Sequence, residues 1–425
     1  MSDTIFALSS GTPPAAIGVI RISGPQASAA CRALTGGLPS PRKAVLRELR
    51  DAEGEILDRA LVLWFPGPAS ATGEDCLEAH CHGGRAVVAA IERALGRLDG
   101  LRAAEPGEFT RRAFANGRMD LAEAEGLADL LSAETELQRR AAQSAADGAI
   151  SGVVGGWRDE TLRLGAQLEA ALDFSDEDDV ESLPDGFYAD AEELAAAMAG
   201  WLARPGAERL REGVRVVLAG PPNSGKSSLF NALLRDSAAI TSDIAGTTRD
   251  SIERPVALGG VPLVLVDTAG LRERSDDRIE VIGMDRARSQ LERADIVLWL
   301  GEEGEGPQGA LDIQSRSDAA DAPTKDAPDY VVSAVTGAGM AELEQGIIAQ
   351  ASALLPKPGD AALSRRQHAM VAEAHEALCG ISRRQDLLVS AEHLRTARRA
   401  FDRLLGRAST EDMLDALFGR FCIGK

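Results

Sequence analysis

A glycine-rich loop constrains the fold of this 425-residue chain more than any other segment. Residues 220–227 read Gly-Pro-Pro-Asn-Ser-Gly-Lys-Ser and match the pattern G-x-x-x-x-G-K-[ST]. The loop follows an apolar run, Val214–Ala219, and precedes an apolar helical stretch, Ser228–Leu234. Backbone N–H groups of such a loop turn inward around phosphate oxygens, and the dipole of the following helix adds positive potential. The sequence therefore predicts a phosphate-binding loop in an α/β domain.

Further apolar runs downstream predict a parallel sheet around this loop. Besides Val214–Ala219, the runs Val261–Val266, Asp295–Leu300 and Asp329–Ser333 are almost continuously apolar. Such runs are typical of strands that are buried on both faces. Residues 301–328 are poor in apolar side chains, so we expect a frayed strand there.

Changes in composition along the chain predict a multidomain α+β protein. Short β-branched runs alternate with turns and helical stretches up to residue 118, whereas residues 121–210 and 364–417 are helical in character. We expect an N-terminal α+β domain and a helical domain that is interrupted by an inserted Ras-like α/β P-loop domain. The predicted boundaries are 1–118 for the first domain, 119–212 and 357–425 for the two helical parts, and 213–356 for the insertion.

Two motifs after the loop favour a GTPase over other P-loop proteins. Residues 267–270 read Asp-Thr-Ala-Gly at the end of the second strand, and residues 246–250 contain a threonine, Thr248, between the two motifs. Lys226 would reach the β- and γ-phosphates, while Ser227 and Thr248 would ligate Mg²⁺. Loop, threonine and Asp-Thr-Ala-Gly in this order are typical of GTPases.

The base-reading segment departs from the usual pattern. A GTPase normally carries Asn-Lys-x-Asp after the third strand, whereas the candidate here, residues 315–318, reads Ser-Arg-Ser-Asp. Asp318 is kept and Arg316 could stack on the base, so guanine is still favoured. The predicted GTP-binding residues are Asn223, Ser224, Gly225, Lys226, Ser227, Ser228, Ser242, Asp243, Ile244, Ala245, Gly246, Thr247, Thr248, Asp267, Thr268, Ala269, Gly270, Asp318, Ser333 and Ala334.

The residue that activates water cannot be the glutamine of Ras-type enzymes. Leu271 occupies that position, directly after the Asp-Thr-Ala-Gly motif. The nearest carboxylates are Asp276, Asp277 and Glu280 on an acidic loop. Each could orient water when the loop folds over the γ-phosphate, and the residues alone leave this choice open.

Composition narrows the classes of protein and partner. The chain has 46 Lys+Arg against 66 Asp+Glu, a net charge of −20, so it lacks the basic character of a protein that wraps nucleic acid non-specifically. We expect no membrane span because no run of about 18 apolar residues occurs. Five scattered cysteines without a CxxC pair indicate no disulfide framework. Together with an N-terminus that lacks an export signal, these features favour the cytoplasm.

Motifs outside the GTPase core carry a family resemblance over essentially the whole chain. They are Asp3-Thr4-Ile5 with Gly18-Val19-Ile20-Arg21-Ile22-Ser23-Gly24, Thr72-Gly73-Glu74-Asp75 with Glu78-Ala79-His80-Cys81-His82-Gly83-Gly84, Pro106-Gly107-Glu108-Phe109-Thr110-Arg111-Arg112 with Asn116-Gly117-Arg118-Met119-Asp120-Leu121, and Phe421-Cys422-Ile423-Gly424-Lys425. In these segments the chain resembles the MnmE (TrmE) family of tRNA modification GTPases.

The resemblance implies a one-carbon site in the N-terminal domain, which would also form a homodimer. By motif position, Arg21, Glu78, Arg118 and Lys425 would contact a formyl- or methylene-tetrahydrofolate. Arg118 stands where a lysine is usual. Cys422 would be a functional, catalytic thiol; the alternative is a buried small apolar residue.

The resemblance also implies a potassium-dependent mechanism of hydrolysis. Asn223, Ser242, Ile244 and Thr247 match the potassium-binding positions, and K⁺ would supply positive charge where other GTPases insert an arginine. Glu280 matches the water-activating carboxylate, so the resemblance favours it among the three candidates.

For the whole protein, the resemblance implies a reaction on tRNA. With an FAD-dependent partner of the MnmG (GidA) type, as a heterotetramer, the chain would add an aminomethyl or carboxymethylaminomethyl group at C5 of the wobble uridine of certain tRNAs. GTP hydrolysis would drive dimerisation of the GTPase domains. Two alternatives remain: a GTP-switched RNA-binding or ribosome-assembly factor without modification chemistry, and a folate-binding scaffold with a decayed GTPase.

Overall fold

The computed structural model describes residues 3–173, 183–236, 238–239, 253–268, 288–320, 324–408 and 410–425. It divides into two compact units, residues 1–128 with 402–425, and residues 129–401. The predicted domain boundaries lie elsewhere and stay predictions. Within the described ranges, no helix combines the length and the apolar character needed to cross a lipid bilayer.

The first unit is built on a mixed sheet covered by helices. Its strands are β1 (Thr4–Leu8), β2 (Ile17–Ser23), β3 (Val45–Arg50), β4 (Ile56–Phe65), β5 (Cys76–His82) and β6 (Leu101–Ala103). Its helices include α1 (Ala27–Thr35), α2 (Arg85–Gly96), α3 (Glu108–Ala115) and α4 (Leu121–Ser132), whose last turn belongs to the second unit. The strand order is β3-β4-β5-β2-β1-β6, and neighbours run antiparallel except β1 and β6.

Alternation along β2 explains which side chains this sheet offers to a ligand. Ile20 and Ile22 are fully buried against the core that also contains Ile91 and Leu95 of α2. Successive side chains of a strand point to opposite faces, so Arg21 lies on the face away from this core. The apolar residues thereby fix the position of a predicted folate contact.

The second unit contains a helical part and a seven-stranded sheet. Its helices are α5 (Glu136–Ala146), α6 (Ala149–Asp173), α7 (Phe187–Leu202), α8 (Ala207–Glu212), α9 (Lys226–Asp236), α10 (Met340–Ala353), α11 (Arg365–Cys379) and α12 (Leu387–Leu404). Its strands are β7 (Val214–Ala219), β8 (Ala238–Ala239), β9 (Glu253–Leu258), β10 (Val261–Asp267), β11 (Ile296–Trp299), β12 (Leu311–Gln314) and β13 (Tyr330–Val331). The strand order is β13-β12-β11-β7-β10-β9-β8, parallel from β13 to β10. The predicted fold class, with helical segments before and after a P-loop α/β part, is confirmed.

One expectation about this unit needs correction. The strand expected to be frayed is formed, because Leu311 and Ile313 of β12 are buried in the core of the sheet. Directly before the sheet, the short helix α8 leads into β7. Side chains of that helix bind on two sides: Arg211 donates to Asp129 at 2.6 Å, and Arg209 donates to Asp295 at 2.8 Å. Tertiary contacts of this kind stabilise a helix too short to persist alone.

The end of the chain packs on the first unit through backbone. After helix α13 (Glu411–Phe418), Ile423 forms an isolated antiparallel bridge with Pro106. Gly107 has a φ of 70°, and a Cβ there would collide with the carbonyl oxygen of Phe418. Gly424 has a φ of 95° and approaches the carbonyl of Leu8 equally closely. Glycine is required at both positions because a side chain would prevent the approach.

A buried guanidinium ties separate segments of the first unit together. Arg112 is 0% exposed, and its Nη2 atom lies 3.0 Å from carboxylate oxygens of both Asp3 and Glu108. Its Nη1 atom donates to Glu74 at 3.1 Å. Burial by itself would raise the pKa of Glu108, but hydrogen bonds from Arg102, the Glu105 backbone and Arg112 hold that pKa below its usual 4.5.

We expect Arg112→Met to destabilise this unit by about 3–5 kcal/mol, because it removes the ion pair of Glu74 and one of the two guanidinium groups that bond Glu108. Hydrogen exchange of the β1 and α3 amides in the full chain measures the change. Glu108 has a lowered pKa in the folded state, so its contribution is present above pH 4.5 and is lost as pH falls through the folded pKa. The difference between the two proteins should therefore shrink as the pH falls below 4.5. Arg59→Met, which removes an exposed ion pair with Glu48, is the control; equal exchange in all three proteins contradicts the prediction.

Candidate functional site

The glycine-rich loop connects β7 to α9 with the backbone shape that phosphate binding requires. Gly220 has a φ of 146°, and a Cβ there would lie 2.9 Å from the carbonyl carbon of Leu300. Gly225 has a φ of 91° and Asn223 a φ of 64°. These left-handed positions turn the loop sharply, and glycine adopts them without steric cost. The loop therefore ends at the N-terminus of α9, a position at which backbone N–H groups can bind an anion.

Lys226 is held inside the loop. Its side chain is 5% exposed, and its ammonium donates to the carbonyl oxygens of Gly220 at 3.0 Å and Pro221 at 2.6 Å. These bonds keep the positive charge at the mouth of the loop. Phosphate oxygens entering there meet a cation that is already positioned.

One of the two predicted magnesium ligands, Ser227 at the start of α9, contacts the end of β10. The Ser227 hydroxyl donates to the Asp267 carboxylate at 2.7 Å. Asp267 is 7% exposed and ends β10, which pairs with β7 in parallel register. Hydroxyl and carboxylate oxygens are the ligands that Mg²⁺ prefers, so this pair fits the ion.

A cavity of about 850 Å³ opens over the loop. Among its lining residues are Asn223, Lys226, Ser227, Thr268, Trp299 and Arg316. Binding clefts for small molecules are typically about 300–1,000 Å³, so the cavity can take a nucleotide. Trp299 was not predicted from the sequence as a residue of this site. Its position near the end of the apolar run Asp295–Leu300 could have indicated it.

The predicted base-reading residues lie together. The Ser333 hydroxyl donates to an Asp318 carboxylate oxygen at 2.6 Å. The same hydroxyl accepts the backbone N–H groups of Val335 and Thr336, which fixes its orientation. The hydrogen bond from Ser333 lowers the pKa of Asp318 below its usual 3.8, so the carboxylate is ionised at neutral pH.

Part of the predicted site lies outside the described residues. This holds for the segment between β8 and β9, for the end of the Asp-Thr-Ala-Gly motif and for the acidic loop after it. The predicted residues concerned are Ser242, Asp243, Ile244, Ala245, Gly246, Thr247, Thr248, Ala269, Gly270, Asp276, Asp277 and Glu280.

Two of the predicted folate residues form an ion pair on the first unit. Arg21 and Glu78 are cross-strand partners in β2 and β5, and the guanidinium Nη2 lies 2.9 Å from the carboxylate. The same guanidinium lies 5.7 Å from the centroid of the Phe109 ring. The backbone N–H of Phe109 donates to the carbonyl oxygen of Lys425 at 3.1 Å, and this bond holds the backbone of Lys425 at Phe109.

The fourth predicted folate residue lines a cavity with Glu78. This cavity, of about 370 Å³, is bordered by Arg118, Glu78, Arg42 and Cys76. Burial raises the pKa of the Cys76 thiol to about 12, so it is neutral and contributes an uncharged surface. Arg42 was not predicted from the sequence as a residue of this cavity. Its backbone has a left-handed φ of 58°, which the sequence does not predict for an arginine. A carboxylate between guanidinium groups suits a ligand with amide donors and carboxylates, as folates have.

Cys422 is exposed rather than packed. Its backbone carbonyl accepts the N–H of Gly107 at 3.5 Å and that of Lys425 at 3.2 Å, which holds the segment on the first unit. The alternative of a buried apolar role is therefore wrong. A functional thiol remains a prediction.

Comparison with known proteins identifies both parts of the chain. The family model described as "GTP-binding protein TrmE N-terminus" matches residues 4–118, and "MnmE helical domain" matches residues 121–422. A crystal structure of the G domain of the T. maritima FeoB iron transporter is 26% identical, covering 32% of this chain and 98% of its own, with a TM-score of 0.24. A TM-score this low supports no conclusion.

Full-length relatives share more than half of the sequence. A tRNA modification GTPase MnmE of Erythrobacter litoralis (strain HTCC2594) is 66% identical over 423 residues, covering 100% of both chains. A protein of the same name from Novosphingobium aromaticivorans is 59% identical over 437 residues, again covering 100% of both. Because the family models together span the chain and these relatives match it from end to end, this protein belongs to the MnmE family of tRNA modification GTPases.

Proposed function

We propose that this protein hydrolyses GTP in the cytoplasm and couples the hydrolysis to modification of tRNA. The observation that carries the proposal is the Ser227–Asp267 pair beside the buried Lys226, at the floor of a nucleotide-sized cavity. The names of the full-length relatives support tRNA as the molecule that is modified.

In this proposal, each group of the loop has a distinct task. Lys226 binds the β- and γ-phosphates in exchange for its carbonyl partners, while Ser227 and Asp267 hold Mg²⁺ directly or through water. Bound Mg²⁺ neutralises charge that develops between the two phosphates. Glu280 orients the attacking water.

The proposal includes potassium as the stimulating cation. Asn223, Ser242, Ile244 and Thr247 would hold it, and its positive charge would stabilise the transition state as two GTPase domains of a homodimer meet. Asn223 is exposed on the rim of the cavity in a left-handed conformation, which leaves its amide accessible. The other three positions lie outside the described residues.

The proposal assigns the one-carbon chemistry to the first unit. Glu78, Arg21, Arg118 and Lys425 would bind a formyl- or methylene-tetrahydrofolate, which supplies the one-carbon unit. Glu78 accepts hydrogen bonds from a pterin edge, and the arginines bind carboxylates. An FAD-dependent partner of the MnmG type would complete a heterotetramer that adds the aminomethyl-type group at C5 of the wobble uridine, with Cys422 as a functional thiol.

We expect GTP turnover by the purified protein to be strongly stimulated in KCl relative to NaCl. Glu280→Ala should lower turnover by about 100-fold or more, because it removes the group that orients water. Asp276→Ala, on the same acidic loop, is the matched control and should retain turnover. Equal and negligible turnover in both salts would overturn the proposal in favour of a folate-binding scaffold with a decayed GTPase.

We expect the full chain to bind 5-formyl-tetrahydrofolate with one ligand per chain in isothermal titration calorimetry. Glu78→Gln should weaken binding by about tenfold or more, because it removes a carboxylate acceptor and releases Arg21 from its pair. Arg59→Ala on neighbouring β4 is the control and should leave binding unchanged. If the unaltered protein fails to bind the folate, the alternative of a GTP-switched RNA-binding factor gains support.

A further inference from the structure

The segment that departs most from the GTPase pattern is the loop after β12. It reads Ser315-Arg316-Ser317-Asp318 instead of Asn-Lys-x-Asp, which raised the possibility of a decayed nucleotide site. The sequence indicates only that Arg316 could stack on the base, and it gives no role to Ser315. Their contacts in the structure give each of them a role.

Ser315 is bonded directly to the phosphate-binding loop. Its hydroxyl donates to the backbone carbonyl of Ser224 at 2.5 Å, although the two residues are 91 positions apart in sequence. Ser315 also lies against Gly225, since a Cβ at that glycine would be 3.2 Å from the Ser315 hydroxyl oxygen. Because Gly225 immediately precedes Lys226, this bond fixes the loop where it turns into α9.

Arg316 lies over the same glycine from the cavity side. Its backbone has a φ of 58°, a left-handed conformation that a non-glycine residue adopts at a cost of about 1 kcal/mol. Its Cγ atom would be 3.3 Å from a Cβ at Gly225, so the aliphatic part of the side chain covers the loop. The residue also lines the nucleotide cavity. The left-handed backbone therefore directs this side chain to the rim of the site.

Asp318 completes the loop two residues later. Its carboxylate is exposed, ionised and oriented by the hydrogen bond from Ser333. A carboxylate can accept two hydrogen bonds side by side, and a guanine base offers two adjacent donors, its N1–H and its 2-amino group. Hypoxanthine offers only the first of these.

We propose that Ser315 and Arg316 are nucleotide-positioning residues that replace the missing asparagine and lysine. Ser315 holds the phosphate-binding loop through the Ser224 carbonyl, Arg316 covers the nucleotide at the rim, and Asp318 distinguishes guanine from hypoxanthine. The loop is therefore a working base-reading segment with different chemistry. This inference rests on the proposed binding of guanine nucleotides.

The test is calorimetric titration of the full chain with GDP and, separately, with IDP. Ser315→Ala should weaken the binding of both nucleotides equally, by about 3- to 10-fold. This is the effect of losing one hydrogen bond, here the bond that holds the phosphate-binding loop. Arg316→Ala should weaken both by about 3- to 30-fold, because the cation and its covering stem are removed. Asp318→Ala should act differently, since the ratio of GDP to IDP affinity falls towards one.

Two variants separate positioning from a general loss of structure. Ser315→Thr retains the hydroxyl and should recover most of the affinity. Ser317→Ala removes the neighbouring exposed hydroxyl and keeps the bond from the Ser317 backbone N–H to the carbonyl oxygen of Val332. This variant should bind as the unaltered protein does. The number of sites per chain should stay at one in every variant.

Each contrary result has a distinct meaning. If Ser315→Ala and Arg316→Ala bind GDP as tightly as Ser317→Ala does, the inference is overturned while GTP binding stands. If Ser315→Thr is as weak as Ser315→Ala, the hydroxyl is not the cause and the role assigned to Ser315 fails. If the unaltered protein binds neither nucleotide, the proposed function itself fails.

Discussion

The parallel pairing of β7 with β10 on one side and β11 on the other brings the ends of three strands to the predicted nucleotide site. Asp267 is the register partner of Leu218, and Trp299 is the partner of Ala219. The carboxyl ends of all three strands therefore meet at one edge of the sheet, where open α/β sheets bind their ligands. Gly220 packs closely against the backbone of Leu300 at that edge, and this contact restricts the path of the loop.

The sequence predicts those parts of this site that are formed by residues close together in the sequence. The phosphate-binding loop, β7 and α9 occupy 23 consecutive positions, from Val214 to Asp236, and their glycines and apolar runs specify one local shape. The bond between Ser315 and Ser224 joins segments that are distant in sequence. Serine is so common in loops that its presence at position 315 does not predict this bond. The same reason applies to Arg112, because two of its three carboxylate partners, Asp3 and Glu74, lie on distant segments.

The first unit shows how a small set of glycines can assemble a site from distant segments. Gly107 and Gly424 permit backbone contact between the end of the chain, α13 and β1, and this contact places Lys425 beside Phe109. Phe109 in turn lies under Arg21. The motifs near residues 21, 78, 107 and 424 thus lie together, although each is short. Apolar burial on one face of β2 keeps the sheet in register, while the other face carries Arg21, a predicted folate contact.

Helix α8 gives the second unit a mechanical property. It is bonded through Arg211 to Asp129 at the end of α4, and through Arg209 to Asp295 at the start of β11. Partly exposed ion pairs of this kind each contribute only about 0–1 kcal/mol. Each of these two attachments is therefore weak, and helix α8 can lose either one at a small cost in free energy while Leu210 stays buried in the core of the sheet.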